Sequence, residues 1–508
     1  MITDGFVPLL VERARAHPSR PFAIYRDAPV TCAEIDAQSS SLANWLKAQG
    51  VVAGDRVLVM TRNSPLIIAL LFAIGKVGAV WVPANVQSRG DNLRYIVEHA
   101  GPRIVIADHD LTATLATDVP SLDTAKLRVV GAGTTQQSLE AGLSYPAAFD
   151  APEPDADAPY AIMYTSGTTG RPKGVIVSHR MLRLSGEAIA LISEAQDGDV
   201  FHMWEPLFHI GGAQMIVIPL IREARLAMVD RFSASTFWSE IKAFGATRIH
   251  FLGGLLQILL KQPPSELDRT HGAMLAFGGG CPRDIWRQFE ERFGVQIREC
   301  YGMTECSSVT TYNTAGVLGS VGKPLPWFEV RLQDANGRPV PQGERGEIVV
   351  SALQPGAITT GYFNNPEATA RAIQPDGFHT GDIGSWDADG NMFFHGRMTD
   401  SVRVKGENVS AFEVEHVAAQ HPGIEDCAMI GVASDVGEQD IKLFVKPKAG
   451  EQLDAVALSA WLGERLARYQ NPRYIVIIDE FERTPSQRIM KHRLASRPEP
   501  VWDRFNPS

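Results

Sequence analysis

Disulfide and zinc chemistry have little to work with in this chain: its five cysteines, Cys32, Cys281, Cys300, Cys306 and Cys427, are odd in number and include no Cys-x-x-Cys pair. The pattern excludes a disulfide framework and a Cys-based zinc site, and a reducing cytoplasm suits it best. Positive charge is scarce too. With a net charge of −10 and no dense Lys/Arg stripe, nucleic acid is an unsuitable partner. Long hydrophobic runs are missing. The stretch from Ile67 to Val80 is broken by Gly75, Lys76 and Gly78, so it reads as a buried helix and not a membrane span. The opening Met-Ile-Thr-Asp carries no basic or apolar region of a secretory signal, and no integral membrane association is expected. What remains is a globular composition, 44% hydrophobic and 21% charged. At 508 residues the chain is too long for one core, and a prior of roughly 150 residues per domain gives about three units.

Up to residue 150 helical and strand patterns alternate: Phe6 to Ala16 is amphipathic, Cys32 to Gln49 helical, and Arg56 to Met60 a buried strand. Such alternation predicts parallel strands with crossover helices. Asp150 to Pro159, rich in Asp, Pro and Ala, reads as a surface linker. Between about 200 and 310 the alternation returns, with a strand at Arg248 to Leu252 and a helix at Leu255 to Lys261, a second α/β unit. From Val321 to Asp400 short strands and the turns Ala335-Asn336-Gly337 and Asp387 to Gly390 predict a β-rich subdomain. A tail of roughly 110 residues follows, large enough for a domain of its own.

Chemistry concentrates first in Tyr164-Thr165-Ser166-Gly167-Thr168-Thr169-Gly170-Arg171-Pro172-Lys173-Gly174-Val175. Glycines let backbone N–H groups converge on an anion, hydroxyls add donors, and Lys173 or Arg171 supplies charge, which together suit a nucleotide triphosphate. A Walker loop is excluded, because Lys173 is followed by Gly174 and not by Ser or Thr. Flanked by Ala161-Ile162-Met163 and Val175-Ile176-Val177, the segment reads as a turn between two strands. Its residue order resembles the signature of the adenylate-forming superfamily, which includes acyl-CoA synthetases, peptide-synthetase adenylation domains and luciferases.

Further segments match that superfamily in order along nearly the whole chain. In Cys300-Tyr301-Gly302-Met303-Thr304-Glu305 the resemblance implies an aromatic on adenine, a threonine at the α-phosphate and a glutamate holding magnesium, with Thr165 as the second metal contact. A hard carboxylate oxygen is a natural magnesium ligand where triphosphate charge must be neutralised. By the same resemblance Asp382 of His379-Thr380-Gly381-Asp382 takes the ribose hydroxyls, and Arg397 touches the nucleotide. Asp400 is the implied hinge, and Gly278, Gly279 and Gly280 admit adenine and acyl group close to the backbone. Taken alone, each also fits a capped turn or a surface salt bridge. His209, in Pro206-Leu207-Phe208-His209-Ile210-Gly211-Gly212, is implied beside the substrate carboxylate, although a lone histidine among apolar residues is ordinarily a core residue. The implied acyl pocket comprises Trp204, His209, Phe251, Gly253, Gly254, Met303 and Ser307.

The pattern breaks near the C-terminus. Where the family has Pro-x-Gly-Lys, this chain reads Pro485-Ser486-Gln487-Arg488, with Lys491 three residues on. Arginine keeps the charge as a rigid planar fork instead of a mobile point charge. Three readings compete: Arg488 replaces the adenylation lysine, Lys491 reaches the site, or magnesium, Lys173 and loop dipoles carry the step.

The resemblance implies an α/β fold: a large N-terminal domain, residues 1–397, of two α/β subdomains plus a β-rich subdomain, and a small mobile α+β domain, 398–508. It implies activation of a carboxylic acid by ATP and Mg2+ through acyl-AMP, then transfer to CoA, with Lys405, Gly406 and Glu407 on the thiolation face. A homodimer is compatible with it. The alternatives are another acceptor (a carrier protein, an amine, or nitrite-dependent chemistry) and a nucleotide-binding protein that has lost turnover.

Overall fold

The computed structural model describes all residues except 1–3, 132–136, 151–154, 166–170, 399–400, 405–406, 435–438, 484–488 and 507–508, and leaves out the side chains of 401, 403, 407, 408, 410 and 492. Two compact units emerge, the first formed by Met1–Gly167, Arg171–Glu329 and Val350–Phe378, the second by Val330–Val349 and His379–Ser508.

Local chemistry sets the helix ends in the first unit. Thr31 and Glu34 form a capping box that starts the helix Cys32–Ala48. Ser64 caps Pro65–Val77, with a proline in the first turn and Gly78 in the left-handed region at its end. Every residue of that helix from Ile67 to Val77 is buried, which is why it is apolar but for Lys76, whose ammonium is paired with Asp36.

Two sheets organise this unit. A six-stranded sheet runs in the order Leu127–Val130, Ile104–Asp108, Arg56–Met60, Val80–Pro83, Pro159–Thr165, Lys173–Ser178. The first five strands are parallel, as the alternating pattern predicts, and the last pairs antiparallel. A nine-stranded sheet runs Lys323–Pro324, Thr311–Asn313, Gln296–Tyr301, Leu275–Gly279, Arg248–Leu252, Val200–Met203, Arg225–Met228, Pro21–Tyr25, Ala28–Thr31. From Gln296–Tyr301 to Pro21–Tyr25 every neighbour is parallel. The N-terminal hairpin therefore belongs to the second sheet, with Ala23 opposite Leu226, and not to the run of α/β units in which it stands in sequence. An aromatic core of Phe237, Phe251, Trp286, Phe289 and Phe293 fills the space against this sheet.

Short strands do occupy the segment from 321 to 400, and the expected turns close with Gly337 N–H donating to Asp334 and Gly390 N–H to Asp387. The turn-rich pattern hides one helix, Pro366–Ala372, which Asn365 caps through its side chain. In the second unit the four-stranded sheet Ile424–Ala433, Gln439–Pro447, Tyr474–Ile477, Val501–Asp503 carries the helices Ala411–Ala419 and Ala455–Gly463. Val402, Val404 and Val409 of the hairpin Ser401–Val404/Glu407–Ser410 share its core with Leu443, Leu458 and Leu462.

Candidate active site

The candidate residues of the first unit collect at the carboxyl ends of neighbouring parallel strands. Trp204 to His209 follow Val200–Met203, Gly253 and Gly254 follow Arg248–Leu252, Gly280 follows Leu275–Gly279, and Gly302 to Ser307 follow Gln296–Tyr301. In an open α/β sheet that edge is where ligands bind.

The phosphate segment is a hairpin whose last paired residues are Thr165 and Lys173, directly opposite each other. Ser166, Gly167, Thr168, Thr169 and Gly170 lie outside the described residues. Gly174 is required by packing, since a Cβ there would stand 2.6 Å from Ile162 Cγ2. Behind the hairpin His99 Nδ1 lies 2.7 Å from the Tyr164 hydroxyl, whose pKa burial pushes upward. Arg171 rests over the Tyr95 ring at 5.2 Å.

Glu305 sits in a short 3-10 turn, Thr304–Cys306, and is 9% exposed. Its Oε1 accepts the Tyr362 hydroxyl at 2.9 Å, and Lys173 Nζ lies 4.7 Å from the centroid of the same tyrosine ring. Gly302 makes the turn possible, as a Cβ would fall 2.0 Å from the Ser308 carbonyl oxygen. Tyr301 and Thr304 are buried, and Met303 is half-buried. Ser307, left-handed at φ 49°, is fully buried and donates to the Ala357 carbonyl at 2.7 Å.

The glycine strand is held by a residue that carries no motif. Glu299 accepts N–H groups from Gly280 at 2.5 Å and from Cys281 at 3.0 Å. Burial raises its carboxyl to about 8, although both N–H contacts pull the other way. At Gly278 a Cβ would stand 1.9 Å from the Phe251 carbonyl oxygen, so strand and backbone touch there. The Phe251 ring is fully buried in the aromatic core, whereas at Gly253 and Gly254 a Cβ would meet nothing within 4 Å.

Trp204 donates its indole N–H to the His250 carbonyl at 2.8 Å. Between them runs a second unforeseen contact: Glu205 Oε2 lies 3.0 Å from His250 Nδ1, both side chains buried and off the line of an aligned hydrogen bond. Asn63 braces the loop by donating to the Glu205 carbonyl and accepting from Leu207 N–H, each at 2.9 Å. His209, half-buried, leads into the helix Ile210–Ala213 with its ring 5.0 Å from Phe208.

Sequence reading passed over Glu205, His250, Glu299 and Tyr362. A carboxylate inside the apolar run Met203-Trp204-Glu205-Pro206-Leu207 was the one visible signal, because such a group requires a partner. No local signal marked Tyr362.

In the second unit Asp382 is buried and stands opposite Arg397 in the ladder of Gly377–Trp386 and Met392–Arg397, Nε 3.4 Å from Oδ1. Glu347 fixes the approach, taking His379 Nδ1 at 2.9 Å and Gly381 N–H at 3.1 Å. Lys491 Nζ is 2.8 Å from Glu415 Oε1, which also accepts Met429 N–H at 2.6 Å. Asp400, Lys405, Gly406 and Arg488 lie outside the described residues, as does the Glu407 side chain.

Among the described residues no group of three or more His, Cys, Asp or Glu is placed to hold a metal, and no helix is long and apolar enough to cross a membrane. Glu305 and Thr165 do offer two hard oxygens, which suits magnesium, an ion that keeps waters and substrate phosphates as its other ligands.

Comparison with known proteins identifies the family. The AMP-binding enzyme family matches residues 10–363, and the AMP-binding enzyme C-terminal domain matches 413–488. A feruloyl-CoA synthase of Amycolatopsis is 32% identical over 98% of this chain and 100% of its own length. A sulfoacetate–CoA ligase of Cupriavidus necator is 30% identical over 97% and 98%. Among solved structures, ATP-bound MatB from Rhodopseudomonas palustris superposes with a TM-score of 0.86 at 27% identity, over 96% of this chain and 98% of that one.

Proposed function

The chain belongs to the AMP-binding enzyme family, and from that premise we propose that it is an AMP-forming acid–CoA ligase. The observation that carries the reading is the gathering of the glycine strand, the Tyr301 to Glu305 turn and the His209 loop at one edge of parallel strands, in the unit that also holds the Thr165/Lys173 hairpin.

A carboxylate oxygen of the acid attacks the α-phosphorus of ATP, and the bond to the β-phosphate bridging oxygen breaks, releasing pyrophosphate. The CoA thiol then attacks the acyl carbonyl, losing its proton, and AMP leaves. Neither half needs a side-chain nucleophile, so catalysis is positioning and charge neutralisation. Magnesium, when bound, neutralises triphosphate oxygens. Glu305 and Thr165 would hold it. Lys173 supplies positive charge to the phosphates, and the N–H groups of residues 166–170 bind them. Tyr301 and Gly278 to Gly280 seat adenine, Thr304 meets the α-phosphate, Asp382 takes the ribose hydroxyls, and Arg397 touches the nucleotide. His209 borders the acid's carboxylate, with Trp204, Gly253, Gly254 and Met303 around the acyl group. Phe251 and Ser307, both fully buried, complete the proposed pocket only from behind its surface, Phe251 as part of the aromatic core and Ser307 through its bond to the Ala357 carbonyl.

The test is pyrophosphate release with ATP and magnesium over aliphatic and aromatic acids, each with and without CoA. Release that rises with CoA and is matched by AMP is the expected result. Release indifferent to CoA assigns another acceptor, and no release with any acid removes the ligase reading.

A further inference from the structure

We propose that Tyr362 is a positioning residue for the charged pair Lys173 and Glu305, an aromatic spacer that holds both for magnesium-bound ATP and keeps them from closing on each other; this rests on the ligase reading of the site. The hydroxyl edge of the ring donates to Glu305, and its face takes the Lys173 ammonium. One rigid side chain thus touches both groups on which triphosphate neutralisation depends. Opposite charges that share one ring would pair if nothing stood between them, and each would then be lost to the substrate.

The backbone that carries the ring is fixed from several sides. Tyr362 N–H donates to Thr369 Oγ1 at 2.9 Å, Phe363 N–H to the Gly174 carbonyl at 2.8 Å, and Ile176 N–H to the Gly361 carbonyl at 3.1 Å. The stretch around Tyr362 thereby pairs with the strand that begins at Lys173, with Val175 opposite Tyr362. Thr359 N–H donates to the Glu305 carbonyl at 2.8 Å, so the same stretch grips the Glu305 turn through its backbone. Gly361 is required, since a Cβ there would stand 2.6 Å from Thr369 Cγ2. Lys173 and Glu305 are therefore tied to one short segment, and the tyrosine sets the spacing between their charged ends.

Calorimetric titration of ATP into the whole protein, with magnesium and with EDTA, reads the two contacts separately. In Tyr362→Phe the ring stays under Lys173 but the hydroxyl on Glu305 is gone. The gain in ATP affinity on adding magnesium should shrink roughly tenfold, the size of one lost charge-assisted contact, with affinity in EDTA unchanged. In Tyr362→Leu the seat of Lys173 goes as well, and affinity should also fall in EDTA. A Tyr362→Phe protein that keeps the full magnesium gain, or loses the same factor with and without magnesium, overturns the proposal. Since that variant preserves shape, it decides the matter even where Tyr362→Leu fails to fold. Wild-type protein that binds no ATP under either condition overturns the ligase reading itself, and is distinguishable from failure of the spacer alone.

Discussion

Glu299 sits in an environment far from what its sequence appearance suggests. It is a plain carboxylate one position before Cys300 in the chain, yet it is buried, holds the Gly280 and Cys281 N–H groups, and titrates near 8 instead of near 4.5. A carboxyl whose folded pKa lies above its unfolded one binds more protons when folded. Its contribution to stability is therefore fully present below about 4.5 and is lost as pH rises through about 8. Melting temperature measured from pH 5 to 9 should fall along that window in the wild type. Glu299→Gln cannot titrate and still offers an oxygen to one N–H, so its profile should be flatter, crossing the wild type as pH rises. Parallel profiles would mean that the carboxylate is already ionised throughout. The His209 and Glu305 segments stand out in sequence as local motifs. Glu299 does not, since what distinguishes it is its burial against the N–H groups of Gly280 and Cys281, 19 and 18 residues away.

At the scale of elements, the strand ends and the glycines that let them approach are the governing feature. Gly211 opens the helix after the His209 loop, and a Cβ on it would lie 2.3 Å from Glu205 Oε2. The Glu205 side chain is buried against His250 and has little room to move aside. Gly211→Ala should therefore cost about 1–3 kcal/mol in urea unfolding, typical of overpacking. In a Glu205→Ala background the same substitution should cost clearly less, because the carboxylate it strikes is gone, and the double-mutant cycle isolates that coupling. An unchanged cost would place the strain instead at the helix backbone. Most elements were legible as local patterns: Arg56–Met60 and Arg248–Leu252 stand where hydrophobic runs put them, and the phosphate segment is the predicted hairpin. Pairings between distant segments were not. Pro21–Tyr25 joins the second sheet beside Arg225–Met228, and Tyr362 meets Glu305 from 57 residues away, relations that no window of sequence contains.

For the whole molecule the open question is which cation in the C-terminal region serves acyl-AMP formation, where the chain lacks the lysine of its superfamily. Lys491 is already engaged, 2.8 Å from a Glu415 carboxylate that also takes Met429 N–H. Freeing Lys491 would strand that partly buried carboxylate, a cost that any productive movement must meet. Arg488 stands at the position matching the family lysine and keeps a permanent charge. Arg488→Ala should therefore slow acid-dependent pyrophosphate release on the order of 100-fold, as loss of one transition-state donor does, while leaving thiolysis of supplied acyl-AMP intact. Lys491→Ala should lower the denaturation midpoint through the abandoned Glu415 and change pyrophosphate release far less. Substitution of Lys405 should do the opposite of Arg488→Ala, sparing pyrophosphate release and impairing thiolysis. The two half-reactions, measured separately on the three variants, decide the assignment: a large adenylation loss in Lys491→Ala with Arg488→Ala nearly normal would move the role to Lys491 and require the Glu415 pair to open in each turnover.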